Sequence, residues 1–279
     1  KFDPNNKNFL FFGIIIIAVF TFFSIPSFYD KNIIQSKIKE QMLDKYGIEA
    51  RFNDKLNFSL LPQPHFVSKN FSILNDNQEI AKVNKFKIYI SNEKYFSFND
   101  ITIRDLIFNK AEFNLNKKNF NFFKKLLFTD PNKENVVIKN SKIFFKDLVD
   151  DTLFILKINE GKFFYDYNKL ENVLIAKNEI FNLPFFLEVK NEFFNKKLIT
   201  NFDFNKIRLN IENQINYKNE NKTGTTSIGV ISKETKFNYK FNKKSLVFSS
   251  EEDNFYKGKI EFKPFYLTGN FNYKNLNLK

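Results

Sequence analysis

The chain opens with one long uncharged run, and most of the remaining sequence alternates between apolar and polar residues. Residues 9–28 (FLFFGIIIIAVFTFFSIPSF) make 20 consecutive positions without a charge. An α-helix rises about 1.5 Å per residue, so this run spans about 30 Å, which is the thickness of a bilayer's hydrocarbon core. The run therefore predicts a transmembrane helix at Phe9–Phe28.

A cleavable signal peptide is the alternative interpretation of this run. A signal peptide has a shorter apolar core and is followed by a small-x-small cleavage site. Here the run ends in Pro26-Ser27-Phe28-Tyr29, and no such site is present. The pattern favours a retained single-pass anchor. Lys1 and Lys7 precede the run, which favours a cytoplasmic location for residues 1–8.

A second, shorter helix is predicted directly after the anchor, within residues 29–47. Asp30 is a suitable N-cap for a helix over Lys31–Tyr46, and Gly47 is a suitable stop. Apolar residues recur every four positions along this stretch, which places them on one helix face. They are Ile34, Ile38, Met42 and Tyr46. That face either packs on a sheet or lies on the bilayer surface.

Beyond residue 50 the dominant period is two, which is typical of strands with one apolar and one polar face. The clearest examples are Phe86–Ile90, Ala111–Leu115, Ile207–Ile211, Phe237–Phe241 and Ile260–Lys263. Turns are predicted at Asn75-Asp76-Asn77 and at Asn219–Thr225. One further helix is predicted at Asn119–Phe128.

These elements predict a mainly β protein: a transmembrane helix, a short amphipathic helix, and a long curved antiparallel sheet over residues 48–279. A polar segment, residues 129–136, marks a break within this region, but no separate second domain is indicated. With few helices to cover it, the sheet must roll up, pair with another sheet, or leave an apolar face open. The alternation does not choose among these three.

The composition is basic, with a net charge of +13, but nucleic acid is not expected as a partner. The lysines are scattered along alternating strands, and arginine, which binds phosphate best, occurs only at positions 51, 104 and 208. Phenylalanine, with 40 residues, is in large excess. Such a surplus of Phe, Lys and Asn is explained by A/T-rich codons.

The sequence offers few candidate residues for a catalytic site. The chain has no cysteine, a single histidine and no glycine-rich phosphate loop. His65 has Asp54 and Ser68 nearby in sequence, but strand spacing does not assemble a triad from them. Two acidic groups fall where turns are expected, which favours solvated charge over a metal site; they are Asp147, Asp150 and Asp151, and Glu251-Glu252-Asp253. We therefore expect no catalytic, metal or cofactor site.

Two prolines, Pro62 and Pro64, stand just before the histidine in the stretch NFSLLPQPHFVSKNFSI (residues 57–73). Each proline lacks an amide donor and forces the preceding residue into an extended conformation. Such a segment belongs at a sheet edge or at a corner between two strands. His65 is then expected to have no chemical role.

The arrangement around these prolines resembles the N-terminal region of the AsmA family. That family shows a signal anchor, a Gly-apolar turn into a strand, an apolar-Pro-x-Pro segment and a series of alternating strands. The matching segments here are Gly47-Ile48, Leu61–Pro64, Phe71–Ile73, Ile80–Val83, Phe86–Ser91, Ile101–Ile107 and Ala111–Leu115. Residues 136–148 (VVIKNSKIFFKDL) resemble a recurrent strand pair of the family. Residues 269–279 still alternate, so we expect the sheet to continue past them.

The resemblance implies an inner-membrane protein of a Gram-negative envelope, with its bulk in the periplasm. AsmA-like proteins look related to bridge-like lipid carriers, whose sheet curls into a groove for acyl chains. The expected function is then non-enzymatic envelope lipid transport or outer-membrane assembly, with phospholipid and other envelope proteins as partners. The expected lipid-facing residues are Phe86, Ile88, Ile90, Phe237, Tyr239 and Phe241. A sealed β-sandwich scaffold and an anchored enzyme remain the alternatives.

Overall fold

The structure, a computed structural model, describes residues 4–46, 49–75, 78–91, 102–120, 128, 135–147, 149–251 and 256–271. The chain divides into two compact units. The N-terminal unit comprises residues 1–125 and 133–153, and the C-terminal unit comprises residues 126–132 and 154–279. The alternation along the chain carries no mark of this division.

The first helix, α1 (Pro4–Ser24), continues into a single 3-10 turn (Ile25–Phe28). Its stretch Asn8–Phe28 is long and apolar enough to cross a membrane, and most of its side chains are exposed. Thr21 and Ser24 donate their hydroxyl protons to backbone carbonyls four residues earlier. The hydroxyls are therefore satisfied within the helix, as a lipid environment requires.

The second helix, α2, spans Lys31–Tyr46, as predicted. Oδ1 of Asp30 accepts a hydrogen bond of 2.8 Å from the backbone N–H two residues later, which caps the first turn. The predicted stop at Gly47 lies outside the described residues. Three members of the apolar stripe are buried; they are Ile34, Ile38 and Met42. The stripe therefore packs inside the N-terminal unit, and the bilayer-surface alternative is wrong for these three residues.

The N-terminal unit is built on one sheet. Its strands are β1 (Glu49–Phe52), β2 (Asn57–Ser59), β3 (His65–Asn75), β4 (Gln78–Ile90), β5 (Ile103–Leu115) and β6 (Asn135–Lys146). Their order is β1-β3-β4-β5-β6, with β2 paired to the start of β3. All pairs are antiparallel except β5 with β6, which run parallel.

A parallel pair requires a crossover connection, and the chain between β5 and β6 provides it. The helix predicted at Asn119–Phe128 falls in this crossover. Phe120 and Phe128 are helical, and residues 121–127 lie outside the described part of the chain.

The two-residue period shifts once along this sheet. Asn70, Lys110 and Asn140, in three of its strands, adopt positive φ values of 51°, 54° and 49°. In β3 the buried positions accordingly move from Ser68 to Phe71, three residues apart instead of two. Asparagine adopts the left-handed conformation more readily than most residues with a side chain, which suits two of the three positions.

The C-terminal unit is an antiparallel meander. Its strands are β7 (Thr152–Asp166), β8 (Glu171–Ile180), β9 (Leu183–Glu192), β10 (Lys197–Phe204), β11 (Leu209–Asn216), β12 (Lys222–Val230), β13 (Lys233–Phe241), β14 (Ser245–Ser250), β15 (Tyr256–Phe262) and β16 (Phe265–Phe271). Each strand pairs with the next along the chain. Over the described residues β16 pairs with β15 alone, so this sheet is open and is not closed into a barrel.

Three predicted boundaries in this unit differ from the structure. The strand predicted to start at Ile207 starts at Leu209, because a 3-10 turn ends there with Arg208 in the left-handed conformation. The turn predicted over Asn219–Thr225 is shorter, since β12 already begins at Lys222. The last predicted strand ends one residue early, because residue 263 belongs to a hairpin turn.

The proline segment is a corner, as predicted. Pro62 and Pro64 lie in the turn formed by residues 60–64, which connects β2 to β3. Ser59 and His65 pair across this turn. Neither proline sits inside a strand, so their missing amide donors interrupt no strand pairing.

Candidate functional site

The register of β12 and β13 puts three of the expected lipid-facing residues on one face of the C-terminal sheet. Phe237 lies opposite Thr226, and Tyr239 lies opposite Gly224. Phe237, Tyr239 and Phe241 are half-buried. The residues between and beside them are exposed on the other face; they are Lys236, Asn238 and Lys240. The two faces therefore differ in chemistry, as the alternation predicted.

The same face continues across neighbouring strands, because each strand pair keeps its register. Its apolar members from β9 to β15 are Phe185, Leu187, Val189, Leu198, Phe202, Phe204, Leu209, Ile211, Ile215, Ile228, Val230, Phe237, Tyr239, Phe241, Leu246, Phe248, Tyr256, Ile260 and Phe262. We call this set the apolar face. The ring of Phe185 stacks on Phe204, with centroids 4.8 Å apart. The apolar face thus runs through seven consecutive strands.

The opposite face is mainly polar and charged. Lys190 and Glu188 form an ion pair of 2.9 Å there, and Lys236 and Glu234 form one of 3.7 Å. The Lys190 pair is half-buried and the Lys236 pair is exposed; an exposed pair contributes little stability, about 0–1 kcal/mol. The charged residues show that this face of the sheet is suited to contact with water. The sheet is therefore amphipathic, with one apolar and one polar face.

Among the described helical residues, Phe128 lies against this apolar face: its ring packs edge-on to Tyr217, which follows β11, with centroids 5.2 Å apart. Between residues 154 and 271, the described part of the chain holds strands, turns and one 3-10 turn (Asn205–Ile207). Most side chains of the apolar face are nevertheless half-buried, because they cover one another; Phe185 and Val189 are buried, and Val230 and Phe262 are exposed. A large apolar surface that nothing covers marks a binding surface or an aggregation liability in a soluble protein.

One cavity opens on the apolar face. It is a shallow, open depression of about 630 Å³, and a depression of similar size, about 580 Å³, lies mainly among polar residues of the same strands. The lining of the cavity on the apolar face consists of Asn213, Ile215, Thr226, Phe237, Tyr239, Phe241, Leu246, Phe248 and Phe262. None of these side chains carries a charge. The cavity therefore suits an uncharged apolar ligand, and sequence analysis named only three of its nine residues.

The polar atoms in this cavity are already paired with one another. Oδ1 of Asn213 accepts hydrogen bonds from the Tyr239 hydroxyl at 2.6 Å and from the Thr226 hydroxyl at 2.9 Å. Burial raises the pKa of the Tyr239 phenol, and its hydrogen bond to Asn213 opposes that effect. Tyr239 is therefore a neutral phenol at physiological pH. This cluster adds no charge to the cavity.

Two of the other three expected lipid-facing residues, Phe86 and Ile88, do not reach an open surface, which corrects the prediction for them, whereas Ile90 lines a cavity beside α1. Phe86 and Ile88 are 0% exposed, and Ile90 is buried. The ring of Phe86 stacks between those of Phe71 and Phe108, at centroid distances of 4.2 and 5.0 Å. These residues form the core of the N-terminal unit. Alternation identifies the inward face of a strand, but it does not reveal whether that face is sealed.

His65 is a structural residue. It is 3% exposed, and its ring stacks on Tyr89 with centroids 5.0 Å apart. Its Nδ1–H donates to the carbonyl of Gln63 at 2.7 Å, which ties the ring to the proline corner. Burial lowers the pKa of the imidazole, the hydrogen bond raises it, and the nearby charge of Lys87 lowers it further.

The acidic residues that sequence analysis considered for a metal form no ligand cluster in the described part of the chain. Oδ1 of Asp147 accepts the backbone N–H groups of Val149 and Asp151, both at 2.9 Å, which is the pattern of a turn. Residues 252 and 253 lie outside the described residues. No group of three His, Cys, Asp or Glu side chains comes together among the residues described.

The fold and the apolar face define a mainly β protein with an apolar N-terminal helix and an open amphipathic sheet in its C-terminal unit. Comparison with known proteins adds no family: no protein-family model matches the chain, and no curated protein matches it.

Proposed function

We propose that this protein is a membrane-anchored lipid carrier whose apolar face holds the acyl chains of phospholipids. The observation that carries the proposal is the apolar face itself, which runs through seven strands, while the described chain between residues 154 and 271 contains no α-helix that could cover it. Each methylene that leaves water contributes about 0.8 kcal/mol, so an acyl chain gains strongly by lying along such a surface. The uncharged cavity of about 630 Å³ provides one such place.

The biological setting is inferred from α1 and from the AsmA resemblance. Under this proposal α1 is a single-pass anchor in the inner membrane, with the N-terminus in the cytoplasm and the two units in the periplasm. The protein then takes part in lipid transport or outer-membrane assembly without catalysing a reaction. Other envelope proteins are its expected partners.

A matched pair of charge substitutions tests the proposal. Phe237→Asp puts a carboxylate on the apolar face, and Asn238→Asp puts the same group on the polar face of the same strand. Phospholipid that copurifies with the full chain after detergent exchange is then quantified by mass spectrometry. We expect Phe237→Asp to lower the lipid content severalfold and Asn238→Asp to leave it unchanged.

Stability has to be measured alongside, because a buried charge also unfolds a sealed core. If Phe237→Asp unfolds the chain, Phe237→Thr provides a milder polar substitution in a residue that favours strands. Parental lipid content in folded Phe237 variants would contradict the proposal. It would favour instead a sheet whose apolar face is sealed against another protein.

A further inference from the structure

A second cavity lies in the N-terminal unit, between α1 and the proline corner. Its volume is about 430 Å³. One wall is formed by Val19, Phe20 and Phe23 of α1, and the opposite wall by residues 60–64. Arg104, at the start of β5, stands among the lining residues. We call this cavity the corner pocket.

The position of the corner pocket along α1 places it at the depth of a bilayer leaflet. Val19 precedes Phe28, the last residue of the apolar span, by nine positions. At about 1.5 Å per residue this is about 13 Å along the helix axis. Half of a bilayer's hydrocarbon core is about 15 Å thick. The same wall includes Pro26, two positions before Phe28, so when α1 crosses a membrane the pocket runs from the interface into one leaflet.

The proline corner is itself suited to that environment. Leu61 is 71% exposed although it is a large apolar residue at the tip of a turn. Its neighbours in the turn include Leu60, Pro62 and Pro64, and the prolines have no amide hydrogen to leave unsatisfied in lipid. Gln63 is the only polar side chain between residues 60 and 64. The carbonyl groups of the turn still need hydrogen-bond donors, so such a tip suits the interface of a bilayer, where water and headgroups supply them.

Arg104 brings a guanidinium to this apolar pocket, where it is ion-paired with the carboxylate of Asp105. Its Nε–H donates to Asp105 at 2.7 Å, and its Nη2 donates to Oε1 of Gln63 at 3.4 Å. The guanidinium also lies 5.8 Å from the ring centroid of Tyr89. A guanidinium has five N–H donors, and these are its two hydrogen bonds within the described part of the chain. The remaining donors are available to an anionic group at the rim.

We propose that the corner pocket binds one phospholipid of the bilayer that holds α1, with an acyl chain against α1 and the proline corner and the phosphate at Arg104. Apolar walls with a single cation at the rim match the two chemical parts of such a lipid. Because one wall is the membrane span itself, lipids of that bilayer are the neighbouring molecules. This site is separate from the apolar face and does not depend on the function proposed for it.

The first test asks whether the corner lies in the bilayer. The chain has no cysteine, so single cysteines can be labelled without background. The full chain is reconstituted in nanodiscs with an environment-sensitive fluorophore at Leu61→Cys, and fluorescence is compared with and without spin-labelled phospholipid. Val149→Cys is the matched control. Val149 is 76% exposed, and it lies in the turn after β6, at the far end of the sheet from the corner.

We expect the label at position 61 to be quenched severalfold more than the label at position 149. Equal quenching would overturn the proposal, because the corner would then not meet lipid. Quenching at position 61 that appears only when each nanodisc holds one chain would also overturn it, because a second copy of the chain would then be what covers the corner.

The second test concerns the phosphate. Arg104→Gln keeps hydrogen-bonding capacity and removes the charge, and Arg51→Gln removes an exposed arginine from β1 as a control. A photocrosslinking residue at position 60 reports lipid capture in nanodiscs that contain anionic phospholipid. We expect Arg104→Gln to lower capture of anionic lipid about threefold to tenfold and Arg51→Gln to leave it unchanged.

Unchanged capture in a stably folded Arg104→Gln variant would overturn the assignment of the phosphate to Arg104. Thermal unfolding of each variant, followed by circular dichroism, shows whether it is folded. Lipid capture at position 60 without lipid on the apolar face would support the corner pocket and contradict the proposed function. The experiments therefore distinguish failure of the corner-pocket proposal from failure of the proposed function.

Discussion

The ring of Tyr239 lies flat over Gly224 on the neighbouring strand, so that a Cβ built on residue 224 would come within 2.4 Å of the phenol. The backbone carbonyl of Gln214 would be only 2.5 Å away from the same Cβ. A similar relationship joins Phe248 and Gly258, at 2.5 Å. Glycine in a strand is unfavourable by itself, but here it lets an aromatic ring lie along the sheet.

We predict that Gly224→Ala destabilises the chain by about 1–3 kcal/mol, because the new methyl group meets both a ring and a backbone atom. Gly229→Ala, on the same strand, is the control, since its Cβ would meet nothing closer than 3.9 Å. That variant should be neutral or slightly more stable, because alanine loses less conformational freedom on folding. Denaturant unfolding of both variants measures the difference. Equal stabilities would show that the Tyr239 ring does not depend on the glycine.

The sealed core of the N-terminal unit and the apolar face of the C-terminal unit should respond differently to truncation. Phe86→Ala removes a ring that is 0% exposed, so we expect a loss of about 3–5 kcal/mol. Phe237→Ala removes a half-buried ring, so we expect a loss of about 1–2 kcal/mol. Lipid-free protein unfolded in denaturant gives both values. A loss from Phe237→Ala as large as that from Phe86→Ala would mean that the apolar face is sealed.

These two phenylalanines show how far the sequence predicts the structure. Both lie in stretches with the same alternation, and both occupy the inward face of a strand, as predicted. The alternation indicates that one side of a strand is apolar. It does not indicate whether that side is buried, because the residues that would pack on it come from elsewhere in the chain. Ile34 and Ile38 of α2, which are buried in the N-terminal unit, are part of what completes that core.

Local signals predict the structure best. The cap at Asp30 and the helix after it are as expected, since a cap depends on residues two or three positions away. The alternation does not predict the parallel pairing of β5 with β6, because that pairing depends on a crossover between distant segments. The alternation does not predict the pairing of Gly224 with Tyr239 either, because that pairing depends on the register between β12 and β13, which the sequence of one strand does not determine.

His65 should make the stability of the N-terminal unit depend on pH. Burial lowers the pKa of the folded-state imidazole, so the folded state binds a proton less readily than the unfolded chain, whose histidine has a pKa of about 6.5. The stabilisation is therefore complete above pH 6.5 and is lost as the pH falls through the lowered pKa.

His65→Phe keeps an aromatic ring against Tyr89 and removes the titration. Free energies of unfolding at pH 7.5 and pH 5.5 should differ more for the parent than for this variant. Because the chain has a single histidine, this difference isolates His65 from the carboxylates. The same pH dependence in both proteins would show that another group is responsible.

The topology of α1 can be tested with single cysteines on either side of the apolar span. We predict that a membrane-impermeant maleimide labels Asn32→Cys, just after the span, in intact right-side-out vesicles. Lys7→Cys, just before the span, should be labelled only after the vesicles are opened with detergent. Labelling of both positions in intact vesicles would mean that α1 does not cross, and the reverse pattern would invert the orientation.

The most direct test of the central claim is photocrosslinking to lipid from the two faces of β13. A benzophenone amino acid is placed at Phe237, on the apolar face, or at Asn238, on the polar face of the same strand. After irradiation in cells, bound phospholipid is identified on the purified chain by mass spectrometry. The proposed function predicts strong capture from position 237 and little from position 238. Equal capture from both positions, or capture from neither, would contradict it.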